Sequence, residues 1–161
     1  MRRSLPLALA VLLFGSVPAR ADATAFIGML TNPERQQARG FGLGVTLLIV
    51  GIEGEYATSG EDEVEGTPSL TTVSGNVLLQ TPIPIFGTRF YWTTGAGVYR
   101  ERREAIDHSE TSLVFNTGGG AKITLAGPLG LRLDYRLLKL RGEPIRPSTV
   151  HRLYAGANLA F

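Results

Sequence analysis

The segment LRLDYRLLKLRG, Leu131 to Gly142, sets the hardest constraint on what this chain can become. Leu131, Leu133, Tyr135 and Leu137 alternate in it with Arg132, Asp134 and Arg136. A period of two belongs to an extended strand, whose successive side chains point to opposite faces. One face is apolar and the other is ionic. No single solvent suits both, so the strand must divide an apolar environment from one in which charges are paired.

Beyond residue 22 no segment sustains a helical period, and period-2 runs recur instead. They cover residues 23–31, 40–50, 52–58, 70–81, 89–100, 113–126, 131–141 and 151–161. Most approach the ~9–11 residues that a tilted strand needs to cross a bilayer. Eight such units predict an all-β fold, an eight-stranded antiparallel up-and-down transmembrane β-barrel. The connections support this, because they alternate in character. Those after the second, fourth and sixth runs are short and uncharged: VG (Val50-Gly51), PIPIFGT (Pro82 to Thr88) and GPLG (Gly127 to Gly130). Those after the odd runs are longer and polar: NPERQQAR, SGEDEVEGTP, ERREAIDHSETS and GEPIRPSTV. Outer-membrane barrels sort their connections in this way, with short periplasmic turns and long outer loops.

The N-terminus reads as an address. Met1-Arg2-Arg3 is basic, LPLALAVLLFGSV is apolar, and ARA (Ala19 to Ala21) places small residues around one position. This is the layout of a secretory signal peptide, with cleavage expected after Ala21 or Ala23. The predicted organisation is a signal peptide over 1–21 and a barrel domain over 22–161. The apolar run is shorter than the ~20 residues of a membrane-spanning helix. Loss of Arg2, Arg3 and Arg20 leaves 13 basic against 14 acidic residues, so the precursor's basic balance gives no reason to expect nucleic acid binding. The chain has no cysteine, and an exported domain of this size without disulfides needs another source of stability.

Eight two-faced strands can close in two ways. A soluble lipocalin-like barrel turns its apolar face inward, and a membrane barrel inverts the pattern. Charge favours inversion: Glu53, Glu55 and Asp134 share the polar phase with Lys122, Arg132, Arg136 and Arg152, and can pair within one lumen. One Arg near the bilayer midplane would cost about 2–4 kcal/mol if turned to lipid. Asn76 joins the same inward polar network. The aromatics of the apolar phase fall into two groups, as the two membrane interfaces require. Phe41, Tyr56 and Phe115 lie at strand ends beside long loops, and Phe90, Trp92 and Phe161 near the short turns. Phe26 cannot be phased, because ATAFIGML is apolar in both registers. An eight-stranded barrel is only wide enough for side chains to fill, so the interior is expected to be packed. Gly42, Gly44, Gly118 and Gly120 would make room in it for long Arg and Lys side chains.

The last segment, HRLYAGANLAF, alternates Leu153, Ala155, Ala157, Leu159 and Phe161 against Arg152, Tyr154, Gly156 and Asn158. It resembles the closing strand of outer-membrane barrels, whose terminal aromatic and apolar residues are read by the assembly machinery. Leu159 and Phe161 would carry that signal here. Signal peptide, eight strands, sorted loops and terminal Phe together resemble the small outer-membrane barrels of Gram-negative bacteria. That group includes the barrel domain of outer membrane protein A, outer membrane protein X and the opacity proteins. The resemblance implies an outer-membrane location, a monomer surrounded by lipid and lipopolysaccharide, and handling by the barrel-assembly machinery. It implies no cofactor. A peptidoglycan-binding domain like that of outer membrane protein A is not expected.

Four further segments invite site readings. TGGGAKIT (Thr117 to Thr124) lacks the Gly-Lys-Ser/Thr ending and the following helix of a phosphate loop, and reads as strand glycines beside Lys122. GFGLG (Gly40 to Gly44) likewise alternates small residues on one face. EDEVE (Glu61 to Glu65) lacks the ligand spacing of a Ca²⁺ loop, which leaves a solvated acidic tip as the reading and a divalent cation site as its alternative. DHSE (Asp107 to Glu110) gathers His, Ser and carboxylates, but adjacent residues on an extended segment point opposite ways. Some eight-stranded barrels edit lipid A, and a deacylase among them uses a His and a Ser on a lipid-facing strand. No His or Ser is expected on that phase here, and His151 is read as an interface residue. The expected function is therefore structural, or surface contact through four long loops, without enzymatic activity. A lipid A-modifying enzyme, a narrow solute conduit and a soluble lipocalin-like binder are the alternatives.

Overall fold

The computed structural model describes residues 19–31, 35–61, 66–103 and 108–161, without the His108 side chain. Residues 1–18 of the expected signal peptide and residues 62–65 of the acidic segment lie outside them. Eight strands follow one another: β1 (Ala19–Thr31), β2 (Gln36–Leu47), β3 (Val50–Ser59), β4 (Ser69–Gln80), β5 (Thr88–Arg103), β6 (His108–Ala126), β7 (Leu129–Leu140) and β8 (Thr149–Ala160). Each pairs antiparallel with its neighbour in sequence, and β8 returns to β1 to close the barrel. The closing seam runs from Asp22 opposite Ala160 to Thr31 opposite His151. Closure pairs the backbone of every strand on both sides, the condition for a sheet to lie in hydrocarbon. β1 begins at Ala19, three residues before the expected start of the barrel domain.

Strand bounds differ from the sequence expectation mainly at the long-loop end. Much of NPERQQAR and of ERREAIDHSETS is strand: β2 starts at Gln36, β5 runs on to Arg103 and β6 starts at His108. Residues 32–35 and 104–107 are all that separate these strands, fewer than the sequence expectation gave to two of the four long connections. The longer connections at this end are 60–68 and 141–148. Polar residues on both faces do not interrupt an antiparallel ladder once it stands in water, so pairing continues past the apolar span. Val50 and Gly51, expected in a turn, belong to β3, and the turn is Leu48-Ile49 with Leu48 at φ 55°. Gly127 occupies the matching place before Pro128 at φ 54°. A left-handed first residue suits a two-residue hairpin, and glycine adopts it without the strain that Leu48 bears.

Outside, Leu43, Ile52, Val77, Leu133 and Leu159 form an exposed apolar wall. Phe41, Tyr56 and Phe115 stand on it toward the long-loop end, and Phe90, Trp92 and Phe161 toward the short turns. Phe41 and Phe115 lie within their strands and not at the ends, because β2 and β6 extend beyond the runs read from sequence.

The wall stops before the strands do. Toward the long-loop end the outward positions become Gln37, Arg39, Thr58, Ser69, Thr71, Arg100, Thr111 and Lys139. At the same height the inward positions become apolar: Leu30, Ala38, Leu70, Tyr99, Val114, Leu138, Leu140 and Val150 form one buried cluster. The barrel thus has two storeys. The lower is apolar outside and ionic inside. The upper has the opposite polarity, as a soluble barrel does. The change marks where the surroundings pass from lipid to water.

Candidate functional site

The lower storey is filled by an ionic network. β3 supplies Glu53 and Glu55, β7 supplies Arg132, Asp134 and Arg136, and β8 supplies Arg152, each at the inward phase of its strand. Arg132, Arg136 and Arg152 are 0–1% exposed, although they are among the largest polar side chains in the protein. Glu53 accepts from both terminal nitrogens of Arg132, Nη2 to Oε1 at 3.2 Å and Nη1 to Oε2. It also accepts from Arg136 Nη2 at 2.9 Å. Arg136 Nε donates to Asp134 Oδ1 at 2.9 Å, and its Nη1 lies 3.1 Å from Glu55 Oε2. Glu55 pairs in turn with Arg152.

Two tyrosines complete the cluster. Tyr91 Oη donates to Asp134 Oδ2 and accepts from Arg132 Nε at 2.8 Å. The Arg132 guanidinium lies 4.8 Å from the Tyr91 ring centroid and that of Arg152 lies 5.4 Å from Tyr154. Such stacking replaces part of the hydration that an arginine loses on burial.

Asn76, inward on β4, joins the network with its amide turned so that its nitrogen donates to Asn116 Oδ1 at 3.2 Å and its oxygen accepts from Arg136 Nη1 at 3.1 Å. Lys122 pairs away from the arginines, donating to Asp22 Oδ2 at 2.6 Å near the short-turn mouth. A vestibule of about 570 Å³ opens there, lined by Arg20, Asp22, Arg89, Lys122 and Asn158 among others. Above it the arginine cluster occupies the lumen.

Glycines decide how closely these groups pack. A Cβ on Gly118 would lie 2.8 Å from Arg136 Cα, and one on Gly120 would lie 2.5 Å from Tyr91 Oη. Gly42 and Gly44 lie instead beside Glu53, so they accommodate a carboxylate and not a long cation. Phe26 points inward and stacks on Tyr154 with ring centroids 4.0 Å apart. Gly40 and Gly156 leave the space it fills, which is what the apolar alternation of β1 could not reveal.

A second ionic site caps the upper storey. Arg146, in the 141–148 connection, donates through Nε to Glu101 Oε1 at 2.5 Å and through Nη1 to Gln36 Oε1 at 3.2 Å. Arg146 Nη2 reaches the Pro68 carbonyl, and the Ile145 amide donates to Glu101 Oε2 at 2.7 Å. Gln36 Nε2 donates to the same Pro68 carbonyl at 3.1 Å. One arginine therefore ties together β2, β5 and both longer connections. Nothing in the strand periodicity announces it, because it lies in a loop. With Asp22, Glu101 and Arg146, five acids and five bases of the described residues form ion pairs inside the barrel.

His151 lies on the outward phase of β8, and its Nδ1 is 2.7 Å from Tyr135 Oη on the neighbouring strand. The flanking outward positions hold Thr149 and Leu153, so no serine shares its strand face. Ser109 is outward on β6, and the side chain of His108 lies outside the described residues.

No protein-family model matches the sequence, and no curated protein matches it. Solved structures do. Neisserial surface protein A superposes with a TM-score of 0.71 at 12% identity, over 89% of this chain and 97% of that one. The N-terminal β-barrel domain of Pseudomonas aeruginosa OprF gives 0.66 at 15% identity, over 88% and 97%. Ail, the attachment invasion locus protein of Yersinia pestis, gives 0.53 at 14% identity, over 89% and 98%. By its closed topology, its apolar outer wall and these likenesses, the chain has the fold of the small eight-stranded β-barrels of the Gram-negative outer membrane.

Proposed function

We propose that the protein is a closed, non-enzymatic barrel that presents a braced platform at the outer surface of the membrane. The observation that carries this reading is the plugged lumen: the three arginines of the lower storey are essentially without solvent contact. An eight-stranded barrel filled in this way has no continuous aqueous path. The loops are where recognition resides on such scaffolds. Here the two longer ones are held by Arg146, which limits the entropy that a partner would otherwise have to remove on binding.

Two proteins of similar fold illustrate the alternatives. Ail has been crystallised with the heparin analogue sucrose octasulfate, and PagL is an outer membrane enzyme with a TM-score of 0.53 at 10% identity. The outward His151–Tyr135 pair is the feature that favours an enzyme reading. Among the described residues neither a carboxylate nor a serine hydrogen-bonds to the His151 ring, and acyl hydrolysis through a nucleophile requires both. Expression in an outer membrane is therefore expected to leave the mass of lipid A unchanged, and the purified protein to give no channel events in a planar bilayer. A lipid A species lighter by one acyl chain would establish the enzyme instead, and discrete conductance steps would establish a conduit.

A further inference from the structure

The charges on the outer wall are all of one sign. At the outward positions of the described strands, Arg39, Arg100, Arg102 and Lys139 are the only ionic side chains, with Arg141 directly beyond β7. Every described strand carboxylate is on the inward phase: Asp22, Glu53, Glu55, Glu101, Glu110 and Asp134. All five bases stand in the polar collar at the long-loop end, at or above the aromatics Phe41, Tyr56 and Phe115. Their contacts include neutral ones. Lys139 Nζ reaches Ser148 Oγ at 2.9 Å and Thr149 Oγ1 at 3.1 Å, Arg100 Nε reaches Ser109 Oγ at 3.4 Å, and Arg141 lies over the Phe115 ring at 5.7 Å.

Beneath one of these bases the wall is recessed. Ala25, Ala155 and Ala157 are small outward residues, and with Ile27, Phe41 and Tyr56 they line a furrow of about 490 Å³. The Phe41 and Tyr56 rings stack at 5.5 Å along one side. Arg39 stands at its head, two residues from Phe41 on the same face. An occupant in contact with both parts needs an anionic head at the membrane surface and a hydrocarbon tail below it.

We propose that the collar binds a phosphorylated, acylated lipid of the outer leaflet, with Arg39 holding a phosphate and the furrow receiving one acyl chain. Arginine suits phosphate through charge-assisted, often bidentate hydrogen bonds. Among the described strand residues no outward carboxylate stands to repel such a headgroup. The inference rests on the barrel standing in the outer membrane with its long-loop end outward.

Native mass spectrometry of the folded barrel in neutral detergent tests it, with three probes offered in turn. These are bisphosphorylated lipid A, the same lipid with its phosphates removed, and inorganic phosphate. One bisphosphorylated lipid A is expected to stay bound, with the dephosphorylated lipid retained roughly tenfold less and inorganic phosphate neither bound nor competing. Arg39→Glu should lower lipid A retention by roughly tenfold, and Arg39→Lys should keep most of it. Ala157→Leu, which fills the furrow and leaves the charge, should also weaken it. Equal retention of both lipids, or an Arg39→Glu barrel that binds like the unaltered one, would overturn the proposal. Full competition by inorganic phosphate would overturn the lipid as its source. The heat-dependent gel shift of each variant shows whether the barrel is folded. A chain that does not insert into bilayers defeats the membrane reading as well, whereas an inserted barrel without phosphate preference defeats only this one.

Discussion

Replacing Glu53 with leucine is expected to lower the barrel's unfolding stability by about 3–5 kcal/mol, the usual cost of removing one partner from a buried ion pair. Glu53 is the acceptor common to Arg132 and Arg136. Without it the two guanidiniums remain in the lumen at 0% exposure and share Asp134, while Glu55 is already committed to Arg136 and Arg152. Urea titration in lipid bilayers, followed by tryptophan emission, measures the loss. The double variant Glu53→Leu/Arg132→Met should be less destabilised than the sum of its singles by about 1–3 kcal/mol, since the second change removes the orphaned charge. A Glu53→Leu barrel within 0.5 kcal/mol of the unaltered one would mean that water already fills the lumen and screens these charges.

The outer wall gives the second large effect. Leu133 faces outward between Ala121 and Ala155 on the neighbouring strands, well below the polar collar. Leu133→Arg is expected to cost about 2–4 kcal/mol in a bilayer, the range for an arginine near the midplane of a transmembrane barrel. Lys139→Leu, three outward positions further along β7, should change stability little, since that site lies at the interface. The same urea titration reads both. If Leu133→Arg proved as mild as Lys139→Leu, the wall would be facing water.

Much of this arrangement is written in the strand period. In β7 an alternation of Leu and Arg can be satisfied in a barrel only if one set faces lipid and the other pairs inside, which places Arg132, Asp134 and Arg136 without reference to any other strand. The topology follows from eight such units with neighbouring connections. What the period conceals is where the outside changes. The run Leu137-Leu138-Lys139-Leu140 breaks the earlier alternation, and the structure shows why: Leu138 and Leu140 fill an apolar upper storey while Lys139 faces out. A reader attending to that break could have found the membrane border and the upward extension of β2, β5 and β6.

Other contacts were not legible, for definite reasons. Phe26 has apolar neighbours on both phases, and its inward stacking on Tyr154 depends on glycines of two other strands. Asp22 lies at the expected leader boundary, and only the β1–β8 closure and the length of Lys122 bring the pair together. The Glu101–Arg146 pair joins a strand to a loop 45 residues away, and loop paths have no period to read. The outward basic collar needed both the phases and the border before its single sign became visible.

The chain contains one tryptophan, and Trp92 stands on the outer wall near the short turns, 49% exposed in the isolated barrel. Its emission tests directly whether that wall meets lipid. In vesicles whose phospholipids carry bromine along their acyl chains, Trp92 should lose most of its fluorescence, while iodide in the surrounding water should leave it nearly intact. Strong quenching by iodide together with full emission in the brominated vesicles would contradict the inversion on which the fold, the ionic lumen and the lipid collar all depend.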